Sequence, residues 1–287
     1  MFTLERVFEL KEKKNLSDLT FDDVLLIFEV VARFLKTSPN AKDLSIEDNS
    51  ILIYVEECEE PLYLSITNGI LEYGKGFRDF TNCVIKSNTS VLYNCAIGKS
   101  EIFNEYFSGA LELEGDFHKL IQLLEILILA LDFFDIVKIN ERRMMTDKEA
   151  IKKILNLYQA GSNFVEPFHI PIFFDVFTAF TNVNPIAQKF ILDSKHVIFI
   201  EIKDVGSFTI QISDKKMDWY KGAPSKCSLR LELDLPLATE VILYGDIVTS
   251  YMAGNIQLDG EEAVASALFL QELIQIFLEF LNLREFI

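Results

Sequence analysis

Hydrophobic residues in the first part of the chain recur at two spacings, one typical of helices and one typical of strands. Apolar residues three or four positions apart in LLIFEVVARFL, which follows the candidate N-caps Asp18 and Thr20, predict a helix. The β-branched and aromatic run Ser50–Val55 and the alternating segment Leu62–Thr67 predict two strands. The acidic turn Glu56–Glu60 separates them, so we expect an antiparallel hairpin.

The same order of patterns returns in the second half of the chain. Thr146 is a candidate N-cap for a helix over DKEAIKKILNLY, and a second helix is predicted to begin near Pro171 and to run through FFDVFTAF. His196–Ile202 and Phe208–Ser213 then predict a second hairpin. Each half ends on a long apolar stretch, Leu120–Phe134 in the first and Ala263–Phe280 in the second, and both stretches predict a closing helix.

The two halves also repeat specific residues. Tyr106–Gly115 reads YFSGALELEG, and Tyr251–Gly260 reads YMAGNIQLDG 145 residues later. Upstream the offset is 146, where Phe28, Val31 and Phe34 pair with Phe174, Phe177 and Phe180. A copy of about 140 residues has the size of an independent domain. We therefore predict two like domains, residues 1–140 and 141–287.

We expect a short helix or turn before the repeated segment in each copy, and then a strand. Gly109 and Gly254, inside that strand, indicate a bulge or a close backbone approach. Gly115 and Gly260 are expected to let the strand turn directly into the closing helix.

Helices, about five strands joined by hairpins, and a final helix are typical of an α+β domain. We expect each domain to contain a roughly five-stranded, mainly antiparallel sheet covered by helices on one face. The other face of the sheet would be free for solvent or for the second domain.

Composition adds a surplus of aromatic residues and a strong negative charge. The chain is 50% hydrophobic and has 25 Phe in 287 residues, which is above the usual content of soluble domains. This surplus could line a cavity, form a domain interface, or belong to a Phe-rich core. The net charge is −17, of which residues 1–137 carry −12. Because such a surface repels phosphates, we expect no nucleic-acid partner and at most transient membrane contact. The acidity could also serve solubility alone.

The cysteines and termini favour a cytoplasmic protein. Cys58, Cys83, Cys95 and Cys227 have no paired spacing, so we expect reduced thiols and neither a disulfide framework nor a zinc site. The N-terminal residues have no secretory pattern. Acidic and amide residues interrupt both long apolar stretches, so we interpret these stretches as buried helices, since a membrane span needs about 20 residues with few charges.

No pattern of catalytic or metal-binding residues stands out. The three histidines are scattered, and no G-x-S-x-G nucleophile motif is present. Cys83 and Cys95 are interpreted as structural thiols, because their neighbourhood lacks the cations that activate a nucleophile. The acidic turn Glu56–Glu60 lacks calcium-loop spacing. Trp219 and Tyr220 are interpreted as edge packing, with ligand stacking as the alternative. We therefore predict a protein that is not an enzyme and has no cofactor or metal.

The order of elements, with the segment before each closing helix, resembles the sterol carrier protein 2 family of nonspecific lipid-transfer domains. The resemblance covers about residues 21–135 and 168–282. The matching segments in the first copy are Tyr73-Gly74-Lys75, Phe103 to Phe107, Ser108-Gly109-Ala110 and Leu113-Glu114-Gly115-Asp116. The matching segments in the second copy are Trp219 to Gly222, Ile247 to Met252, Ala253-Gly254 and Leu258-Asp259-Gly260, followed by Glu261 where the first copy has Asp116.

This resemblance implies a hydrophobic tunnel between sheet and helices that accepts fatty acids, acyl-CoA, sterols or other lipids, with the closing helix often acting as a lid. The acidic surface disfavours acyl-CoA, whereas neutral lipids, or fatty acids near Lys75 or Lys221, are easier to accommodate. The predicted lining, whose members could equally be ordinary core, is Phe28, Val31, Phe34, Leu120, Leu124, Leu127, Phe174, Phe177, Phe180, Leu268, Leu273 and Phe277.

Two other functions remain open at this point. The first is a structural or protein-interaction module with filled cores, in which the two copies form an intramolecular pseudo-dimer. Cavity volume separates it from a lipid binder. The second is an enzyme, which would need a polar cluster inside the tunnel.

Overall fold

The computed structural model describes residues 20–38, 41, 48–78, 80–96, 100–133, 141–161 and 166–281. The chain divides into two compact units, Met1–Ile151 (unit 1) and Lys152–Ile287 (unit 2). This division lies inside a helix, Glu141–Ala160, whereas the sequence pattern places the domain boundary just before that helix.

Unit 1 contains one five-stranded sheet and the helices around it. Its elements are α1 (Phe21–Thr37), β1 (Asn49–Val55), β2 (Leu62–Thr67), β3 (Ile70–Lys75), β4 (Cys83–Ser87), α2 (Thr89–Ala96), α3 (Ile102–Ser108), β5 (Leu111–Gly115), α4 (Phe117–Phe133) and α5 (Glu141–Ala160). The strand order is β3-β2-β1-β4-β5. Only β1 and β4 pair in parallel; the other neighbours are antiparallel.

Unit 2 repeats this plan. Its elements are α6 (His169–Val183), α7 (Pro185–Phe190), β6 (His196–Ile202), β7 (Gly206–Ser213), β8 (Lys216–Lys221), β9 (Leu229–Leu233), α8 (Leu235–Tyr244), α9 (Ile247–Met252), β10 (Leu258–Asp259) and α10 (Ala263–Phe280). The strand order β10-β9-β6-β7-β8 corresponds to that of unit 1, with β6 and β9 as the parallel pair. Two mainly antiparallel five-stranded sheets with helices confirm the predicted α+β fold class.

Local sequence explains how the first helix and hairpin form. The backbone N–H of Thr20 donates to the Asp23 carboxylate at 2.7 Å, and Thr20 is the N-cap of α1, as one of the two candidates predicted. The other candidate, Asp18, lies outside the described residues. In the hairpin, Ile51 pairs with Leu64, and both are buried. Because strand side chains alternate between faces, this register places one apolar row of each strand under the helices.

The repeated glycine motif forms a tight corner between the last strand and the closing helix. Gly115 and Gly260 have φ of +101° and +129°, a region that favours glycine. A side chain at Gly260 would come within 2.5 Å of the Ser228 carbonyl oxygen, and one at Gly115 would collide with the Asn82 carbonyl. Asp116 N–H donates to that same Asn82 carbonyl at 2.8 Å. The predicted strand-to-helix turn is therefore confirmed in both copies.

Two local expectations were wrong. Gly109 lies at the C-terminal cap of α3 with φ of +79°, so it ends a helix and does not form a bulge inside a strand. Thr146 does not begin its helix, because α5 starts at Glu141. The outer face of the second sheet is partly covered. Phe199 points away from the helices yet is only 4% exposed, with the Arg230 guanidinium 5.0 Å above its ring.

Within the described part of the chain, one helix is long and apolar enough to cross a membrane, by length and composition alone. This helix is α10, and 39% of its residues are buried in the protein. Its buried side lies on α6, β9 and α8, and its remaining residues are half-buried or exposed, so the helix is less buried than the sequence predicted.

Candidate functional site

Unit 1 encloses a small apolar cavity between its sheet and its helices. The cavity has a volume of about 50 Å³. Helices α1, α2 and α4 supply most of its wall, and helix α3 and strands β1 and β4 supply the rest. The lining residues are Val24, Ile27, Phe28, Ile53, Ile85, Leu92, Tyr93, Cys95, Ile102, Leu120, Leu123, Leu124 and Leu127.

Unit 2 encloses a smaller cavity at the corresponding place. Its volume is about 20 Å³, and every lining residue is apolar. Helices α6, α8 and α10 and strands β6, β7 and β9 contribute to it. The lining residues are Phe173, Phe174, Phe177, Ile200, Ile202, Ile210, Leu233, Ala238, Val241, Ile242, Leu270 and Ile274.

Both cavities are far smaller than a lipid. A water molecule needs at least about 10–15 Å³ of such volume, whereas ligand pockets usually measure about 300–1,000 Å³. The interiors are therefore closed, and an acyl chain can enter only if the helices separate from the sheet. The apolar linings would favour an apolar occupant, because a polar group without a partner is costly there.

Six of the twelve predicted lining residues border these cavities. In unit 1 they are Phe28, Leu120, Leu124 and Leu127. In unit 2 they are Phe174 and Phe177. They occupy the helix positions that the repeat places opposite the sheet, as the 3.6-residue periodicity of these helices predicts.

The other six lie away from the cavities. Five are buried in the surrounding core, each at most 1% exposed: Val31, Phe34, Phe180, Leu273 and Phe277. Leu268 is instead 43% exposed and lines no interior. The buried stripe of α10 passes through Ala267, Leu270 and Ile274, so Leu268 falls on the outer side of the helix.

The predicted lining omitted the residues that the strands and helices α2 and α8 contribute to the cavities. Ile53 and Ile200 are equivalent residues on the central strands, and both line a cavity. Each is followed by an exposed residue, Tyr54 or Glu201, but is preceded by a buried one, so an alternating pattern alone would not have identified them. Tyr93 of α2 and Val241 of α8 belong to segments whose short length left only a helix or turn prediction.

Titratable groups near the cavities are few and have ordinary structural roles. Burial, and then the Asp23 carboxylate, raises the pKa of Tyr93. Cys83 is 2% exposed, and burial raises the pKa of its thiol to about 12, with smaller contributions from Asp116 and Glu114. Such a thiol is a poor nucleophile. In the described ranges, no group of three or more His, Cys, Asp or Glu side chains is arranged to hold a metal ion.

The lysine proposed as a carboxylate partner lies among acids. Lys75 borders an open cleft of about 400 Å³ together with Asp22, Glu59 and Glu60. Glu57, in the same cleft, accepts bonds from the backbone N–H and the hydroxyl of Thr89, both at 3.0 Å. These carboxylates would repel the head group of a fatty acid at this place.

No family model matches this chain, and no curated protein matches it. The solved structures similar to it include the sec-alkylsulfatase Pisa1 from Pseudomonas sp. (21% identity, TM-score 0.27). That match covers 28% of this chain and 13% of the alkylsulfatase. They also include the ubiquinone synthesis protein UbiJ-SCP2 (19% identity, TM-score 0.32, 39% of this chain and 96% of that one). A third is sterol carrier protein 2 from Yarrowia lipolytica in its apo form (19% identity, TM-score 0.30, 37% and 89%). The chain thus spans about an eighth of the alkylsulfatase, and its matches to sterol carrier protein 2 structures each cover little more than a third of it.

Proposed function

We propose that this protein binds lipids, and transfers or stores them, without catalysing a reaction. The observation that supports this proposal is an apolar cavity at the same place in both units. Equivalent residues border the two cavities: Phe28 and Phe174 on the first helix, and Leu127 and Ile274 on the closing helix. An apolar interior between helices and sheet provides the environment that an acyl chain or a sterol-like ring system needs.

Binding requires the closed interior to expand. Burying an acyl chain gains about 0.8 kcal/mol per CH₂, so a chain of about 15 CH₂ groups gains roughly 12 kcal/mol. This gain must exceed the cost of separating a closing helix from its sheet. Because each CH₂ contributes similarly, we expect weak selectivity for chain length.

The polar end of the ligand would be recognised weakly. The cavity of unit 2 has only apolar lining residues, and that of unit 1 adds the phenol of Tyr93 and the thiol of Cys95. The net charge of −17 disfavours acyl-CoA, whose phosphates prefer a basic rim. We propose fatty acids, sterol-like molecules or neutral lipids as ligands, no nucleic-acid partner, at most transient membrane contact, and a cytoplasmic location.

Organic extraction of the purified protein, followed by lipid mass spectrometry, tests this function. We expect a co-purifying fatty acid or neutral lipid, and displacement of a fluorescent fatty acid at micromolar protein. Absence of both signals would reject lipid binding.

A second candidate function is favoured by the cavity volumes. Interiors of about 20 and 50 Å³ are nearly filled, as expected for a structural or protein-interaction module. The intramolecular pseudo-dimer belongs to this candidate and stays a prediction. Thermal unfolding with added palmitate separates the two functions. A ligand of the folded state raises the melting temperature by mass action, whereas a filled module would show no change.

A further inference from the structure

The two units differ in the size of the side chains at three equivalent helix positions. The first helices pair at an offset of 146, so Ile27 corresponds to Phe173 and Val31 to Phe177. The closing helices pair at an offset of 147. Leu127 and Ile274 both line a cavity at that offset, and Leu131 and Leu278 are both 1% exposed.

The third difference follows from this alignment of the closing helices. Ala130 of unit 1 corresponds to Phe277 of unit 2, and both are fully buried. Each of the three positions therefore has a phenyl ring in unit 2 and an aliphatic side chain in unit 1. Unit 1 therefore has about a dozen fewer side-chain carbon atoms at these three positions.

The rings of unit 2 form one interlocked group, here called the aromatic cluster: Phe173, Phe177, Phe180 and Phe277. Phe173 stacks on Phe177 with 5.2 Å between ring centroids. Phe277 lies 5.9 Å from Phe173, 5.4 Å from Phe177 and 5.1 Å from Phe180. The cluster thus joins α6 to α10, and separating these helices would break several ring contacts at once.

Unit 1 has no equivalent cluster at these positions. Of the four, only Phe34, which corresponds to Phe180, keeps an aromatic ring. Phe34 contacts Phe133 of α4 at 5.5 Å between ring centroids, whereas Ile27 lines the cavity together with leucines of α4. This cavity is larger than that of unit 2, about 50 against 20 Å³. Aliphatic side chains can move between rotamers to make room for a ligand without breaking aromatic pairs.

We propose that unit 1 is the ligand-binding copy and that unit 2 is a filled scaffold whose aromatic cluster excludes an acyl chain. This inference rests on the proposed lipid-binding function. The intact chain should therefore bind one acyl chain, although it contains the domain fold twice.

Titration of the full-length protein with a fluorescent fatty acid, in three variants, tests this assignment. Ile27→Phe places the unit 2 ring in unit 1, and Phe173→Ile makes the reverse change. Ile70→Phe is the matched control, because Ile70 is 68% exposed and undergoes the same substitution. We expect one site in the unmodified protein, at least tenfold weaker binding in Ile27→Phe, and unchanged affinity in the other two.

The single tryptophan gives an independent readout that needs no variant. Trp219 lies in unit 2, with its ring 5.5 Å from that of the cavity residue Phe174. Saturation with non-fluorescent palmitate should leave the Trp219 emission unchanged while it displaces the fluorescent probe. Two sites, a Trp219 response, or a folded Ile27→Phe variant with full affinity would overturn the assignment to unit 1. No site at all in the unmodified protein would instead reject lipid binding itself.

Discussion

Replacing Phe277 by alanine should destabilise unit 2 strongly. Phe277 is fully buried and has three phenyl rings within 5.9 Å of its own. A buried Phe→Ala change costs about 3–5 kcal/mol, through lost burial and the cavity left behind. Because Phe277 joins both helices of the aromatic cluster, we expect a loss of about 4 kcal/mol in the free energy of unfolding.

Urea denaturation followed by Trp219 fluorescence measures this loss, since the only tryptophan reports on unit 2. With a denaturant slope of about 2 kcal/mol per molar urea, the midpoint should fall by about 2 M. Leu268→Ala is the control on the same helix. Leu268 is 43% exposed, so its removal should change the stability by about 0.5 kcal/mol.

The stabilising role of Phe277 would be contradicted if Phe277→Ala lowered the free energy of unfolding by less than about 1 kcal/mol, or by no more than Leu268→Ala does. Either result would mean that the rings do not hold α6 and α10 together. The claim that they exclude a ligand would then lose its basis.

Three further predictions concern protonation, reactivity and backbone strain. Burial lowers the pKa of His196 below its usual 6.5, more than nearby Glu262 raises it. The unfolded chain therefore binds a proton at His196 more readily than the folded chain does. The free energy of unfolding of unit 2 should fall as the pH drops below 6.5. In urea titrations at several pH values, His196→Gln should reduce this fall. Cys83, buried and with its pKa raised to about 12, should resist iodoacetamide at pH 8 in the native protein and react fully in urea, whereas mass spectrometry should show native labelling of the half-buried Cys227. Gly260→Ala should lower the free energy of unfolding by more than about 2 kcal/mol in the same urea assay, because its φ of +129° and the nearby Ser228 carbonyl both oppose a side chain. Gly254 is the control, since nothing lies within 4 Å of a side chain there. An equal loss in Gly254→Ala would contradict the clash at Gly260.

Much of the fold was predictable because its signals are local. The residue periodicities and the 145–146-residue offset predicted the order of helices and strands in both copies. The doubled glycine corner was predictable because few residues other than glycine allow that turn. Gly109 was misplaced because a left-handed glycine serves equally in a bulge and at a helix end.

The interior was less predictable, since it depends on which side of an apolar helix faces the sheet. Helix α10 carries apolar residues on most sides, so periodicity could not separate the exposed Leu268 from the buried Leu270. The sequence repeat predicted one of the differences between the units, because it pairs Val31 with Phe177. The pairing of Ala130 with Phe277 needed the structure, because the offset changes to 147 within the closing helices.

Methyl NMR of the isoleucine-labelled protein, titrated with palmitate, shows whether an acyl chain enters the cavity of unit 1. An acyl chain held between helices and sheet should shift the methyl signals of the cavity residues Ile27, Ile53 and Ile85. The exposed Ile70 should not respond. Saturable shifts at the three interior methyls are the predicted result; unchanged interior signals at saturating palmitate would contradict lipid binding in this cavity.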